Sequence, residues 1–153
     1  MGQSVVGILI GETVTDADQQ YKQELLNATR EGELEKEIYF AGYRRNISDY
    51  LVVADCVVVP SMEGLSLAAL EAMSARCRVV AQDCGGAAKL LKSAGCGTLY
   101  KKNGTAFDAA FAVRKALQEQ DVRSLNKGYE YCLKQDARSY IDQLKRLLMR
   151  ANE

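Results

Sequence analysis

Short β-branched runs alternate with helix-period segments over the first hundred positions, and the remainder of the chain reads as helical. Residues 5–10 (Val-Val-Gly-Ile-Leu-Ile), ended by Gly11, have the composition of a buried strand. Thr15 or Asp16 caps the next expected helix, whose apolar face is Tyr21, Leu25 and Ala28 and whose end lies near Gly32. A second strand is expected over residues 37–41, closed by Gly42, followed by a short helix around residues 47–53 with Asn46 or Ser48 as cap. Residues 56–59 and 78–82 are further strands, separated by a helix over residues 65–75. A brief helix over residues 87–93 and a short strand over 97–100 complete the alternation. From Thr105 onward the spacing is wholly helical. Phe107, Ala110, Phe111 and Leu117 mark the apolar stripe of one helix, and Leu125, Tyr129 and Cys132 that of a second. Tyr140, Ile141, Leu144, Leu147 and Leu148 mark a third.

Strands alternating with helices at this spacing predict an α/β domain: three layers, with helices on both faces of a parallel sheet. The near-continuous apolar strands agree, because a parallel sheet is covered on both sides. No repeat or low-complexity linker interrupts the chain, and its single proline, Pro60, follows a strand. One domain spanning residues 1–153 is therefore expected, a size that buries roughly 68–70% of the unfolded surface.

In such sheets ligands bind beyond the carboxyl ends of the strands. The residues there are Gly11-Glu12, Gly42-Tyr43-Arg44-Arg45, the segment 61–67 and the segment 83–86 with its Gly85-Gly86 pair. The segment 60–73 carries the most chemistry. After Pro60-Ser61 comes a Glu63-Gly64 pair, then a helix of small and apolar residues in which Glu71 is the one charge between Gly64 and Arg76. Leu67 and Glu71 are four apart and share a helix face, expected to be buried, where a carboxylate is costly without a hydrogen-bonding partner. The backbone N–H groups of Leu65, Ser66 and Leu67 open the helix and form a natural seat for an anion. A ligand with a phosphate at one end and hydroxyls at the other fits this pattern.

Composition narrows the chemistry. Twenty basic and twenty acidic residues balance, so no basic excess exists to neutralise a nucleic-acid backbone, and no nucleic-acid partner is expected. The chain has no histidine, which excludes Ser-His and Cys-His nucleophiles and leaves carboxylate, lysine, tyrosine or cysteine as acid or base. The five cysteines (56, 77, 84, 96 and 132) contain no CxxC pair. They read as reduced core residues of a cytoplasmic protein, and no metal site is expected. The first residues lack the cationic region of a signal peptide, and no apolar run approaches the ~20 residues of a transmembrane segment.

Pro60-Ser61, Glu63-Gly64, Leu70-Glu71-Ala72-Met73, Val79-Val80-Ala81 and Gly85-Gly86 together resemble the donor-binding half of GT-B glycosyltransferases. The group is the retaining family 4 (group 1) that includes sucrose synthase and bacterial mannosyl- and glucosyltransferases, and the resemblance runs from about residue 5 to 117. It implies a Rossmann-like domain that binds a nucleotide-diphosphate sugar, a UDP- or GDP-hexose, as substrate, with no metal or other cofactor. By the same resemblance Glu63 lies at the donor sugar and reacting centre and is the catalytic residue, and Glu71 accepts hydrogen bonds from the ribose. The amides of Leu65, Ser66 and Leu67, with Gly64, meet the diphosphate. Tyr43 and Arg44 lie where the family holds the base, and Gly85-Gly86 border the sugar. The turn from Ser61 to Glu63 is one residue shorter than the family pattern, and Lys89 stands where an acidic residue is common.

Family members carry an acceptor-binding domain, then a first donor-domain strand and a basic Arg/Lys pair, ahead of the strand that residues 5–10 resemble. Removing the central strand of a 3-2-1-4-5-6 sheet and closing the gap predicts five strands in the order 2-1-3-4-5, with a helical C-terminus. Hexosyl transfer then needs an acceptor domain from elsewhere, contacted through the C-terminal helix, and the isolated chain is expected to be inactive or nearly so. The alternative reading is a catalytically inactive interaction or folding module derived from such a domain. A flavodoxin-like domain binding a flavin or phosphate is a weaker third reading, resting on the polar loop of residues 11–15.

Overall fold

A computed structural model of the chain describes residues 5–60, 64, 66–119 and 122–135. They fall in two compact units, Met1–Ile47 and Ser48–Glu153. The expected helix at residues 140–148 lies outside the described residues.

The first unit is a β-α-β element. Strands β1 (Gly7–Ile10) and β2 (Ile38–Gly42) pair in parallel, with a register shift between Leu9 and Ile10. Between them runs α1 (Asp16–Glu31), started by a capping box: the Thr15 hydroxyl accepts the Asp18 N–H, and the Asp18 carboxylate accepts the Thr15 N–H. The expected apolar face of α1 is not buried. Tyr21 and Ala28 are exposed, Leu25 is half-buried, and no described residue of this unit is fully buried.

The second unit holds the whole of the described core. Helix α2 (Ile47–Val53) starts at the last residue of the first unit and runs into the second, which continues with β3 (Cys56–Val59), α3 (Leu67–Ser74), β4 (Arg78–Gln82), α4 (Gly85–Ala94), β5 (Thr98–Tyr100), α5 (Ala106–Gln118) and α6 (Val122–Leu133). The strands form a parallel sheet in the order β3-β4-β5, with Val59 beside Ala81 and Gln82 beside Tyr100. On the central strand Val80 packs with Ala112 and Ala116 of α5. Alternation turns Val79 and Ala81 to the opposite face, and both are buried too. The sheet is thus covered on both sides: α5 lies across all three strands, while α3 and α4 contact β4 and are themselves joined by α6. Gly128 lets α6 approach, since a Cβ there would stand 3.1 Å from the Cys96 sulfur. The Arg76 guanidinium, 4.1 Å over the Tyr129 ring, fastens the end of α3 to the same helix.

The α/β architecture with parallel strands flanked by helices is as expected, but the single sheet 2-1-3-4-5 is not. The described strands form two sheets, β1-β2 and β3-β4-β5, with no β1–β3 pairing. None of the four residues of β1 is fully buried, so burial supplies little drive for adding that strand to a further neighbour. The α5 stripe is also corrected: Phe107 and Phe111 face outward and the small residues Ala112 and Ala116 face the sheet. Of the five cysteines, all free, Cys77 is buried and the others are half-buried.

Candidate functional site

In the second unit two helices begin at the carboxyl end of the sheet, one after β3 and one after β4. The pairing of Val59 with Ala81 sets both strand ends level, so α3 and α4 open on the same side. Each helix start exposes backbone N–H groups and the positive end of its dipole.

At α3, Ser66 is the N-cap. Its backbone is extended, and its hydroxyl accepts the Ala69 N–H at 3.3 Å. This side chain is almost fully covered. The cap takes the third N–H of the helix, leaving those of Leu67 and Ala68 without a partner among the described residues. Ala68 was not among the residues expected from the sequence. The signal for it was the serine three residues before Ala69, which sets the helix start two positions later than residue 65.

The Leu67–Glu71 face is exposed, contrary to expectation. Leu67 keeps 62% of its surface in solvent, and Glu71 is exposed. The buried face is Ala69, Ala72 and Met73, the side that meets β3, β4 and α6. Both faces of this helix are apolar in sequence, so the spacing defines two stripes without saying which turns inward. Glu71 is therefore not the buried carboxylate that the spacing predicts, and it is open to solvent.

At α4, Gly85 adopts φ +66°, a left-handed conformation in which a Cβ is strained, and the helix begins at this residue rather than at Ala87. Cys84 occupies the cap position but makes no cap bond; its thiol instead donates to Gln82 Oε1 at 3.2 Å. Gly86 is buried. The loop is anchored from below, where the Asp83 N–H donates to the Tyr100 carbonyl at 2.7 Å and Asp83 pairs with Lys92. Burial, and then the neighbouring Cys84, push the Tyr100 phenol above its ordinary range, so it is neutral near pH 7.

Gly64 is exposed. Glu63 and Leu65 lie outside the described residues. Tyr43 and Arg44 belong to the first unit, at the carboxyl end of its own sheet. There Gly42 takes φ +67° and its carbonyl accepts the Gly11 N–H at 3.1 Å. Tyr43 projects its ring into solvent, and Arg44 Nη1 donates to the Tyr43 carbonyl at 3.1 Å. A cavity of about 30 Å3, lined by Met73, Cys77, Val79, Cys96 and Gly128 among others, opens at the amino end of the second sheet. It lies at the opposite end of that sheet from the two helix starts, and its room for about one water does not suit a nucleotide.

Two helix starts side by side at the carboxyl end of a parallel sheet, one made of glycines and one followed by an exposed glutamate, suit an anion flanked by hydroxyls. Comparison with known proteins gives the family. Residues 1–132 match the family described as glycosyl transferases group 1. The chain belongs to that family. It is a GT-B family domain that corresponds to part of larger relatives. HepE of Anabaena, solved in complex with UDP and glucose, is 23% identical with a TM-score of 0.79, over 95% of this chain and 40% of HepE. Sucrose-phosphate synthase of Thermosynechococcus elongatus is 24% identical with a TM-score of 0.75, over 94% of this chain and 38% of the synthase. The C-terminal domain of the group 1 glycosyl transferase LpcC from Francisella tularensis is 21% identical with a TM-score of 0.68, over 88% of this chain and 86% of that domain. At these identities the likeness is one of fold. The chain spans about a third of WaaG and about two-fifths of HepE. No curated protein sequence matches the chain significantly. Among the described residues no helix is long and apolar enough to cross a membrane.

Proposed function

We propose that this group 1 glycosyltransferase domain binds a nucleotide-diphosphate sugar and presents its hexosyl group to an acceptor held by another domain. Residues 1–153 form one nucleotide-sugar-binding domain in this reading, which the continuous family match over residues 1–132 supports. The observation that carries the proposal is the paired helix starts of α3 and α4, with Glu71 exposed one turn into α3.

The chemistry follows from those groups. The diphosphate sits against the N–H groups of Leu67 and Ala68 and beside Gly64, Leu65 and Ser66, where helix dipoles stabilise negative charge without a metal. That charge grows as the sugar–phosphate bond breaks, so the same donors favour the leaving group. Glu71 accepts hydrogen bonds from the ribose hydroxyls, and Gly85-Gly86 allow the sugar close to the backbone. Glu63 stands at the reacting centre. Transfer requires an acceptor domain, because positioning two substrates supplies much of such a rate. The solved complex of HepE with UDP-glucose supports UDP-hexose as the first donor to try, with GDP-hexose second.

Isothermal calorimetry with UDP, GDP, UDP-glucose, GDP-mannose and free glucose tests the reading. Binding of a nucleoside diphosphate or its sugar, with none of free glucose, is expected. Absence of heat at millimolar nucleotide would refute donor binding and leave the alternative, a catalytically inactive interaction or folding module.

A further inference from the structure

Helix α5 is turned inside out. Its sheet-facing stripe is Ala109, Ala112, Val113 and Ala116, and the two buried alanines are 4% and 3% exposed. Its largest residues point the other way, with Phe107 79% and Phe111 63% exposed. The chain contains three phenylalanines, and two of them stand on this one outward face. At 100° per residue, Phe107, Ala110, Phe111 and Arg114 fall on a single stripe opposite the buried one. The helix cannot roll to bury the rings. The Thr105–Asp108 capping box fixes its start, and the slot against β3, β4 and β5 is filled by alanine-sized side chains.

The charge around the rings is positive. Arg114 lies on the same stripe and Lys102 just ahead of the helix, both exposed and with no ion pair among the described residues. Lys101 reaches the first turn, 3.4 Å from Asp108, and remains 82% exposed. The nearby carboxylates are engaged: Asp108 accepts from Thr105 and Lys101, and Glu119 pairs with Lys115 at 3.6 Å. Phenylalanine and arginine are common where two proteins meet but lysine is depleted there, so Lys101 and Lys102 beside the rings favour an anionic bilayer, which takes aromatic residues ringed by cations.

We infer that this face of α5 docks on an anionic lipid bilayer, with the rings of Phe107 and Phe111 at the boundary between headgroups and acyl chains and Arg114, Lys101 and Lys102 against lipid phosphates. Two rings and a few cations give weak, reversible and salt-sensitive binding rather than permanent anchoring. This surface is separate from the helix starts of the candidate site, so it holds whether or not a nucleotide binds.

The chain has no tryptophan, so Phe111→Trp installs a single reporter. Mixed with phosphatidylcholine vesicles containing one-third phosphatidylglycerol, the full chain carrying that substitution should shift its emission to the blue, and high salt should reverse the shift. The doubly substituted Phe107→Ser/Phe111→Ser chain, with an unchanged circular dichroism spectrum, should co-sediment with those vesicles at least about tenfold less than the wild type. No binding of the wild type to the anionic vesicles overturns the inference, and self-association without vesicles would then mark the face as a protein contact. Binding that the two serines leave unchanged overturns it equally.

Discussion

The hydroxyl of Ser66 accepts the backbone N–H of Ala69 at 3.3 Å while the residue lies almost fully buried. This one bond sets where α3 begins, and hence which amides of the helix remain open to an anion. Replacing Ser66 by alanine should cost about 0.5–2 kcal/mol, the usual loss for such a cap. Urea denaturation would register a lower midpoint at constant slope. An unchanged midpoint would mean the cap does not set the helix start.

Gly97, the residue just ahead of β5, has φ +72°. A Cβ at that position would stand 2.8 and 2.9 Å from the methyl carbons of Leu91 and 3.0 Å from the Val79 carbonyl oxygen. Gly97→Ala therefore combines backbone strain with overpacking and should destabilise the second unit by about 1–3 kcal/mol. A thermal melt would show it as a drop of several degrees; an unchanged melting temperature would contradict the described start of β5.

Burial pushes the Cys56 thiol up to about 11, with Cys77 adding to the shift, and burial followed by Cys132 does the same for Cys96. Both thiols should react slowly with iodoacetamide at pH 8 in the folded chain and readily once it is unfolded. The sign of the linkage follows from the raised values. Neutral thiols favour the fold fully below pH 9, and that contribution is lost as pH rises from 9 through about 11. Stability measured across that window should fall, and should fall less in a chain with both cysteines replaced by alanine.

The strands were legible because β-branched runs such as Cys56–Val59 and Arg78–Gln82 end at turn residues, and local composition suffices for that. The cap at Thr15 was equally local, whereas the capping box at Thr105 emerged only from the structure. What the sequence did not disclose was phase and pairing. In α3 and α5 the residues facing the sheet are mostly alanine, so hydropathy contrast points the wrong way and the larger Leu67, Phe107 and Phe111 look like core. The pairing of β1 depends on neighbours distant in sequence, which no periodicity encodes. For the candidate site, residue types at 64–71 and 85–86 were readable from the motif, while the exposure of Glu71 and the part of Ala68 required the fold.

Glu71 carries the central claim. Because it is exposed and sits within a helix, Glu71→Ala should leave stability within about 0.5 kcal/mol. A charged hydrogen bond to a ribose contributes roughly 1.5–3 kcal/mol, so the same substitution should weaken the nucleotide roughly ten- to hundredfold. Calorimetric titration of the nucleoside diphosphate into wild type and Glu71→Ala, side by side, measures this directly. A tenfold or greater rise in Kd with an unchanged melting temperature is the predicted result, and equal affinities for the two chains would contradict the account.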